Sequence, residues 1–176
     1  ERMFSIMGTG QMILSAAALV LLGLLIIRVN NTFASTNDVM LSSKLQVLAI
    51  SLGTSMLEEA QGMAFDEKTV NDDVLSVTSL TAPGLFGRET GETIDSIDDF
   101  DDYHNLVRID STLPSAVFRV ACNVAYVNPT TPNTNAAGQT WHKRITVVVT
   151  SPSMASLPGR LDSVSMSSVF SYWHFR

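Results

Sequence analysis

The chain has 176 residues, enough for one domain with an appendage, and 45% of them are hydrophobic while 16% are charged. Its net charge of −6, with no basic cluster larger than Lys143-Arg144, argues against a nucleic-acid-binding protein, because such proteins neutralise phosphates. The one cysteine, Cys122, has no disulfide partner within the sequence and is expected to be a small buried hydrophobe.

The first segment carries no charged side chain from Met3 to Ile27. A bilayer core about 30 Å thick requires about 20 apolar residues in a helix, so this run is long enough to span a membrane. Only helices and closed barrels satisfy the backbone in lipid, and the Ala and Leu content favours a helix. A cleaved secretory signal is the alternative, but no small-residue cleavage site fits well before Arg28. We interpret the segment as a spanning helix.

The helical pattern continues beyond this run. Apolar residues recur at steps of three and four, the period of one helical face, at Leu41, Leu45, Leu48, Leu52, Met56, Ala60 and Met63. Asn30-Asn31-Thr32 is the expected place for a local break. An unbroken helix from Gln11 to Ala64 would be about 80 Å long at 1.5 Å per residue, far more than a bilayer needs. Its apolar second half must therefore pack on something outside the membrane.

A polar, acidic stretch follows from Phe65 to Asp102, and we expect it to be a loop with a short strand around Val74–Leu80. Its acidic run is expected to be a solvated turn, with Phe100 and Tyr103 anchoring it to the rest of the domain. Carboxylates are also the ligands of Ca²⁺, although EF-hand spacing is missing. The weak candidates for such a metal site are Asp98, Asp99, Asp101 and Asp102.

The last third of the chain shows alternating apolar and polar residues, the period of half-buried strands. The predicted strands are Asn105–Leu113, Val117–Val127, Thr140–Thr150 and Asp162–Tyr172. Short connections rich in Pro and Gly separate most of them, while Asn128–Gln139 is expected to be a long loop. Consecutive strands with such connections predict an antiparallel meander.

These elements predict an α+β fold, in which the antiparallel sheet packs on the second half of a long N-terminal hydrophobic helix. The expected divisions are a membrane or filament-core helix half (1–30), an amphipathic helix half (31–64), an acidic loop region (65–104) and a sheet domain (105–176). The residues expected in the core between helix and sheet are Leu45, Leu48, Leu52, Met56, Phe118, Val120, Val124, Ile145 and Val147.

The residues that carry chemistry in enzymes are scattered in this sequence. The three histidines, His104, His142 and His174, form no metal-binding motif, and no serine has a nucleophile-elbow setting. Glu58 and Glu59 are adjacent and point in different directions on a helix, so we expect them at the edge of the apolar stripe or near a basic residue of a neighbour. We expect neither an enzyme nor a cofactor.

Two further segments have a plain interpretation and a functional one. The polar loop that begins at Asn128 is expected to be exposed, and its candidates for O-linked glycan are Thr130, Thr131 and Thr134. The aromatic C-terminal residues are expected either to close the core beside the last strand or to contact a neighbouring subunit. They are Phe170, Tyr172, Trp173, His174 and Phe175.

Four stretches, GTGQMILSAAALVLLGLLIIRVNN, SMLEEAQGMAFDE, DDFDDYHN and KRITVVVTS, resemble segments of type IV pilins and pilin-like proteins. Pilins usually carry a Glu near the head of the apolar run, where this chain has Gln11. The resemblance implies a subunit held in the inner membrane and then extracted by a pilus assembly machinery into an extracellular filament of many copies of itself. The residues that would pack between subunits are Ile13, Leu14, Ala17, Leu19, Val20, Leu22, Leu24, Ile26 and Ile27.

Two alternatives remain open from the sequence. The first is a minor pseudopilin of a secretion or DNA-uptake system, which would share the fold but be present in few copies. The second is a single-pass membrane protein whose β domain binds a ligand as a monomer.

Overall fold

The computed structural model describes the backbone of residues 2–114, 116–155 and 162–172, and the side chains within these ranges from residue 8 onward. The chain divides into two compact units, residues 1–43 and residues 44–176. The first unit is entirely helical where it is described, and the second contains the end of the same helix together with a sheet.

The N-terminal helix, α1, runs without interruption over Arg2–Gln61. The break expected at Asn30-Asn31-Thr32 is therefore wrong. Thr32 Oγ1 donates a hydrogen bond to the carbonyl oxygen of Arg28 at 3.0 Å, so its hydroxyl is satisfied inside the helix. The helix ends where Gly62 N donates to the carbonyl oxygens of Glu58 and Glu59 at 3.2 and 3.1 Å.

The sheet is antiparallel and its strands follow the order β1-β2-β4-β5, with β3 paired to the end of β2. The strands are β1 (Val107–Asp110), β2 (Phe118–Asn128), β3 (Thr131–Asn135), β4 (His142–Thr150) and β5 (Ser163–Ser171). The meander is confirmed. The expectation of an irregular loop over Asn128–Gln139 is wrong, since β3 forms a hairpin there.

The segment between helix and sheet contains short 3-10 helices instead of the strand expected around Val74–Leu80. That prediction is wrong, because the stretch forms a single 3-10 turn over Val77–Ser79. The other 3-10 helices of this segment are Glu67–Thr69, Pro83–Leu85, Ile94–Ser96 and Asp101–Tyr103, and a further one, Pro152–Met154, lies between β4 and β5.

The main core lies between the last turns of α1 and the inner face of the sheet, which confirms the α+β fold. All nine residues expected there belong to this cluster, with Leu48 and Leu52 partly buried and the other seven buried. Leu41, which the sequence placed at the start of the same stripe, is instead 52% exposed. Leu45 is the first residue of the stripe that is fully buried.

The helix lies against the side chain of Met166, on β5, at Gly53. A Cβ atom at this position would collide with the methyl group of Met166, so the absence of a side chain lets helix and strand meet here. About two turns further on, Gln61 donates a hydrogen bond to Ser168 Oγ on the same strand.

A second, smaller cluster is built mainly from aromatic rings. Phe65, Val74, Leu80 and Tyr126 form it, and rings from the last strand close it. Phe170 lies 5.8 Å from Phe65 between ring centroids, and Tyr172 accepts a hydrogen bond from Val74 N at 3.0 Å. Phe170 and Tyr172 thus complete the core, whereas Trp173, His174 and Phe175 lie outside the described residues.

Candidate functional site

The first unit exposes a continuous apolar surface on α1. Met12 is 75% exposed, Leu19 69% and Ile27 58%. The nine residues expected to pack between subunits are all exposed: Ile13, Leu14, Ala17, Leu19, Val20, Leu22, Leu24, Ile26 and Ile27. Exposed apolar surface on this scale marks a site of contact with a membrane or another protein.

The same helix meets the physical requirement for a membrane span. Over the described residues Gly8–Gln61, it is long and apolar enough to cross a bilayer, and the apolar stretch is exposed. A signal sequence meets the same requirement, so length and composition identify this helix as a candidate membrane anchor.

The three candidate glycan acceptors lie at the β2–β3 hairpin. Thr130 is in the turn, while Thr131 and Thr134 are on β3. All three side chains are exposed, and each residue of β3 is exposed as well.

The acidic run is not the solvated turn that the sequence predicted. Asp99, Asp101 and Asp102 are buried, with exposures of 1%, 2% and 2%, while Asp98 stays exposed. Asp101 and Asp102 are buried within the 3-10 helix Asp101–Tyr103, Asp99 lies just before it, and Phe100 and Tyr103 are fully buried beside them. The anchoring role expected of the two rings is confirmed.

The buried carboxylates face a buried cation that sequence reasoning missed. Lys143, on β4, is 0% exposed, and its Nζ donates to Asp66 Oδ2 at 2.8 Å, to the carbonyl oxygen of Phe65 at 2.7 Å and to Asp101 Oδ1. Phe65, Phe86 and Tyr126 surround it, with ring centroids 4.7 to 5.4 Å from Nζ. The sequence held a signal, since Lys143 shares the inward alternation of Ile145, Val147 and Val149.

Asp66 is the most completely satisfied carboxylate of this cluster. It accepts hydrogen bonds from Thr81 N, Thr81 Oγ1, Lys68 N and Tyr126 Oη in addition to the Lys143 bond. Burial is the largest single influence and acts to raise its pKa, but the charge and hydrogen bond of Lys143, together with the backbone hydrogen bonds from Lys68 and Thr81, outweigh it, so the pKa of Asp66 lies below its ordinary value.

The other two carboxylates beside Lys143 shift the opposite way. Burial, reinforced by the charge of Asp101, raises the pKa of Asp99 to about 9. Burial also raises the pKa of Asp101, despite the Lys143 charge beside it. Asp99 is therefore neutral at pH 7, and Asp66 is the carboxylate of the three whose ionised form the site favours.

Glu59 ties the end of α1 to the first strand. Arg108, on β1, donates to both of its carboxylate oxygens at 2.7 Å, and Tyr103 Oη donates to Oε1 at 3.0 Å. The hydrogen bond from Arg108 lowers the pKa of Glu59 below its ordinary value. The basic partner expected from a neighbouring subunit lies, for Glu59, in the same chain.

His104, His142 and Cys122 make contacts within the fold. His104 Nδ1 lies 2.8 Å from the carbonyl oxygen of Val124, and His142 Nδ1 lies 2.7 Å from Ser171 Oγ. Cys122 is 5% exposed, and burial raises the pKa of its thiol to about 11. A thiol in such a site stays protonated and inert at neutral pH, in agreement with its expected role as a buried hydrophobe.

No protein family, no curated protein and no solved structure matches this chain. A long apolar N-terminal helix joined to an antiparallel sheet is compatible with a pilin-like architecture, and a functional proposal rests on that fold and on its surfaces.

Proposed function

We propose that the chain is a structural subunit of an extracellular, type IV pilus-like filament that assembles by bundling its N-terminal helices. The observation that carries the proposal is the exposed apolar surface of α1, from Met12 to Phe33. The proposed role is mechanical and includes no catalytic step and no cofactor.

The exposed surface needs an apolar environment at every stage of the life of the protein. The inner membrane supplies it before assembly, and the helices of neighbouring copies supply it within the filament. Each Å² of apolar surface removed from water contributes roughly 25 cal/mol, so leucine-sized side chains such as Leu19 and Leu22 would dominate the association free energy once the subunit leaves the bilayer. Extraction itself requires a pilus assembly machinery, because lipid solvates these side chains as well as a helix bundle does.

The structure of the second unit also supports the proposal. It has its own core between residues 45–60 of α1 and the sheet, and its hairpin bearing Thr130, Thr131 and Thr134 is exposed. We expect this unit to form the outer surface of the filament at the cell surface, where O-linked glycan on the three threonines is accessible to the modifying enzymes.

The test is to shear surface material from cells that produce the chain, to image it by electron microscopy and to identify its protein by mass spectrometry. Thin uniform filaments composed chiefly of this chain are the expected result. Filaments that contain a few copies of it would favour a minor pseudopilin. A chain that remains in the inner-membrane fraction as a monomer would overturn the proposal in favour of an anchored binding domain.

A further inference from the structure

Three carboxylates from two separate segments converge beside the 3-10 helix Asp101–Tyr103. Glu89 and Glu92 lie at the two ends of a turn in which Glu92 N donates to the Glu89 carbonyl at 3.1 Å, and Asp102 belongs to the 3-10 helix. One carboxylate oxygen of each residue lies within 4.8 Å of those of the other two. A cation of ordinary size can contact all three oxygens at such separations.

Asp102 is the buried member of this group and its hydrogen bonding is incomplete. The residue is 2% exposed, and its Oδ1 has no hydrogen-bond partner among the described residues. Its Oδ2 accepts one long bond, at 3.4 Å, from Asp98 N. A buried carboxylate oxygen without a donor is costly, and a bound cation is one of the groups that satisfies it.

The charges around this point have the same sign. Burial raises the pKa of Asp102, and the negative charges of Glu92, Asp101 and Asp98 raise it further. Burial, reinforced by the neighbouring carboxylate of Glu92, likewise raises the pKa of Glu89, and Glu92 Oε2 accepts a hydrogen bond from Glu89 N at 3.0 Å. Lys143 Nζ, which neutralises Asp66 and Asp101, makes its three hydrogen bonds elsewhere in the cluster. Within the described part of the chain, no lysine or arginine forms an ion pair with Glu89, Glu92 or Asp102, in contrast to Asp66.

We propose that Glu89, Glu92 and Asp102 bind a divalent cation, and that the cation is Ca²⁺. The donor set consists of oxygen atoms alone, which suits hard cations and disfavours Zn²⁺. Ca²⁺ accepts irregular coordination by six to eight oxygens, whereas Mg²⁺ demands near-octahedral geometry and keeps its waters. This set differs from the four aspartates that the sequence suggested and shares only Asp102 with it.

The cation would fasten the Glu89–Glu92 turn to the 3-10 helix that carries Asp101 and Tyr103. These two residues contact Lys143 and Glu59, so the site lies one residue away from the contacts that join the acidic segment to the sheet and to α1. Binding is therefore expected to raise the thermal stability of the second unit as well as to order the turn. The inference concerns the single chain and does not depend on filament assembly.

The experiment uses the full chain in detergent micelles, freed of metal with EDTA. Calcium chloride is titrated by isothermal calorimetry, and magnesium chloride is titrated in a separate experiment for comparison. The variants are Glu92→Ala and Asp102→Asn, and Asp95→Ala is the matched control because Asp95 is an exposed acidic residue of the same segment outside the group. Circular dichroism checks the fold of each variant, and Glu92, which is only half-buried, keeps the test valid if Asp102→Asn fails to fold.

Saturable binding of one Ca²⁺ per chain, weakened at least about tenfold by Glu92→Ala and unchanged by Asp95→Ala, is the expected result. The thermal unfolding temperature of the wild-type chain, and not that of Glu92→Ala, should rise with calcium. Binding that does not saturate, or that all three variants reduce equally, would show diffuse attraction to an acidic surface and would overturn the proposal. A stronger response to magnesium than to calcium would overturn the assignment of the ion.

Discussion

Lys143 Nζ lies 2.8 Å from Asp66 Oδ2, and neither side chain is exposed to solvent. The pair joins β4 to the segment that directly follows α1, across 77 positions of the sequence. Two charges removed from water in this way are retained only when each has a partner and its remaining hydrogen bonds are made, and both conditions hold here.

Removing the positive charge of Lys143 should lower the stability of the second unit more than any other single substitution. Lys143→Met keeps the length and apolar stem of the side chain but leaves Asp66 and Asp101 buried without a counterion. We expect the free energy of unfolding to fall by about 3–5 kcal/mol, the usual cost of breaking a buried ion pair from one side. Urea unfolding of the full chain in micelles, followed by near-ultraviolet circular dichroism, measures it.

The matched control is Lys68→Met, at an exposed lysine on the 3-10 helix after α1. It should change the free energy of unfolding by no more than about 0.5 kcal/mol. Equal stability of Lys143→Met and the wild type would show that the buried charges contribute nothing net.

The pH dependence of stability should depend on Asp66. Its pKa in the folded chain lies below the ordinary value of 3.8, so its ionised form stabilises the fold above that pH. The contribution is lost as the pH falls below 3.8 through the folded pKa. Asp66→Asn should therefore be less stable than the wild type at pH 7, by about 3 kcal/mol, and the difference should shrink at pH 3. Unfolding curves of both proteins at the two pH values test this, and a difference independent of pH would contradict it.

The ion pair between Glu59 and Arg108 should contribute modestly to the free energy of unfolding. Their side chains are 34% and 28% exposed, so solvent screens the charges even though the geometry is bidentate. A double-mutant cycle with Glu59→Gln and Arg108→Gln is expected to give a coupling free energy of about 1 kcal/mol that weakens in 1 M salt. The control cycle pairs Glu59→Gln with Arg119→Gln, an exposed arginine on β2, and should be additive.

A charge on the apolar surface of α1 should block assembly without unfolding the sheet. Leu19→Asp places a carboxylate where the proposed filament buries a leucine that is 69% exposed in the single chain. The matched control is Leu75→Asp, since Leu75 is 75% exposed but belongs to the second unit. Sheared filament yield should fall at least about tenfold for Leu19→Asp and stay normal for Leu75→Asp. Normal yield for both variants would refute helix bundling as the source of assembly.

The sequence predicted the helix and the strands because both have a clear period. Steps of three and four placed Leu45, Met56 and Ala60 on one face, and strict alternation placed Phe118, Val120 and Val124 on another. The hairpin strand β3 was missed because Thr131–Asn135 contains Pro132 and polar residues, a composition that favours loops. Its backbone pairing with the end of β2 overrides that local preference.

The site was harder to predict than the fold. Acidic residues are usually exposed, so composition favoured a solvated turn at Asp99, Asp101 and Asp102. Asp101 is buried against Lys143, which lies on another element and is invisible to any local pattern. The one available signal was the position of Lys143 on the inward face of β4, which required the register of the strand before it could be interpreted.

The core of the second unit combines residues 45–60 of α1 with residues of β2 and β4, and β2 begins 58 positions after Ala60. During synthesis the helical half is therefore complete while its cover is still missing. Leu45, Ala49 and Met56 must stay exposed until the later strands are made, and local helix formation cannot bury them in the meantime. The nascent chain thus passes through a stage with two exposed apolar surfaces, one on the N-terminal half of α1 and one on residues 45–60. A chaperone or prompt delivery to the bilayer is expected to protect it from aggregation.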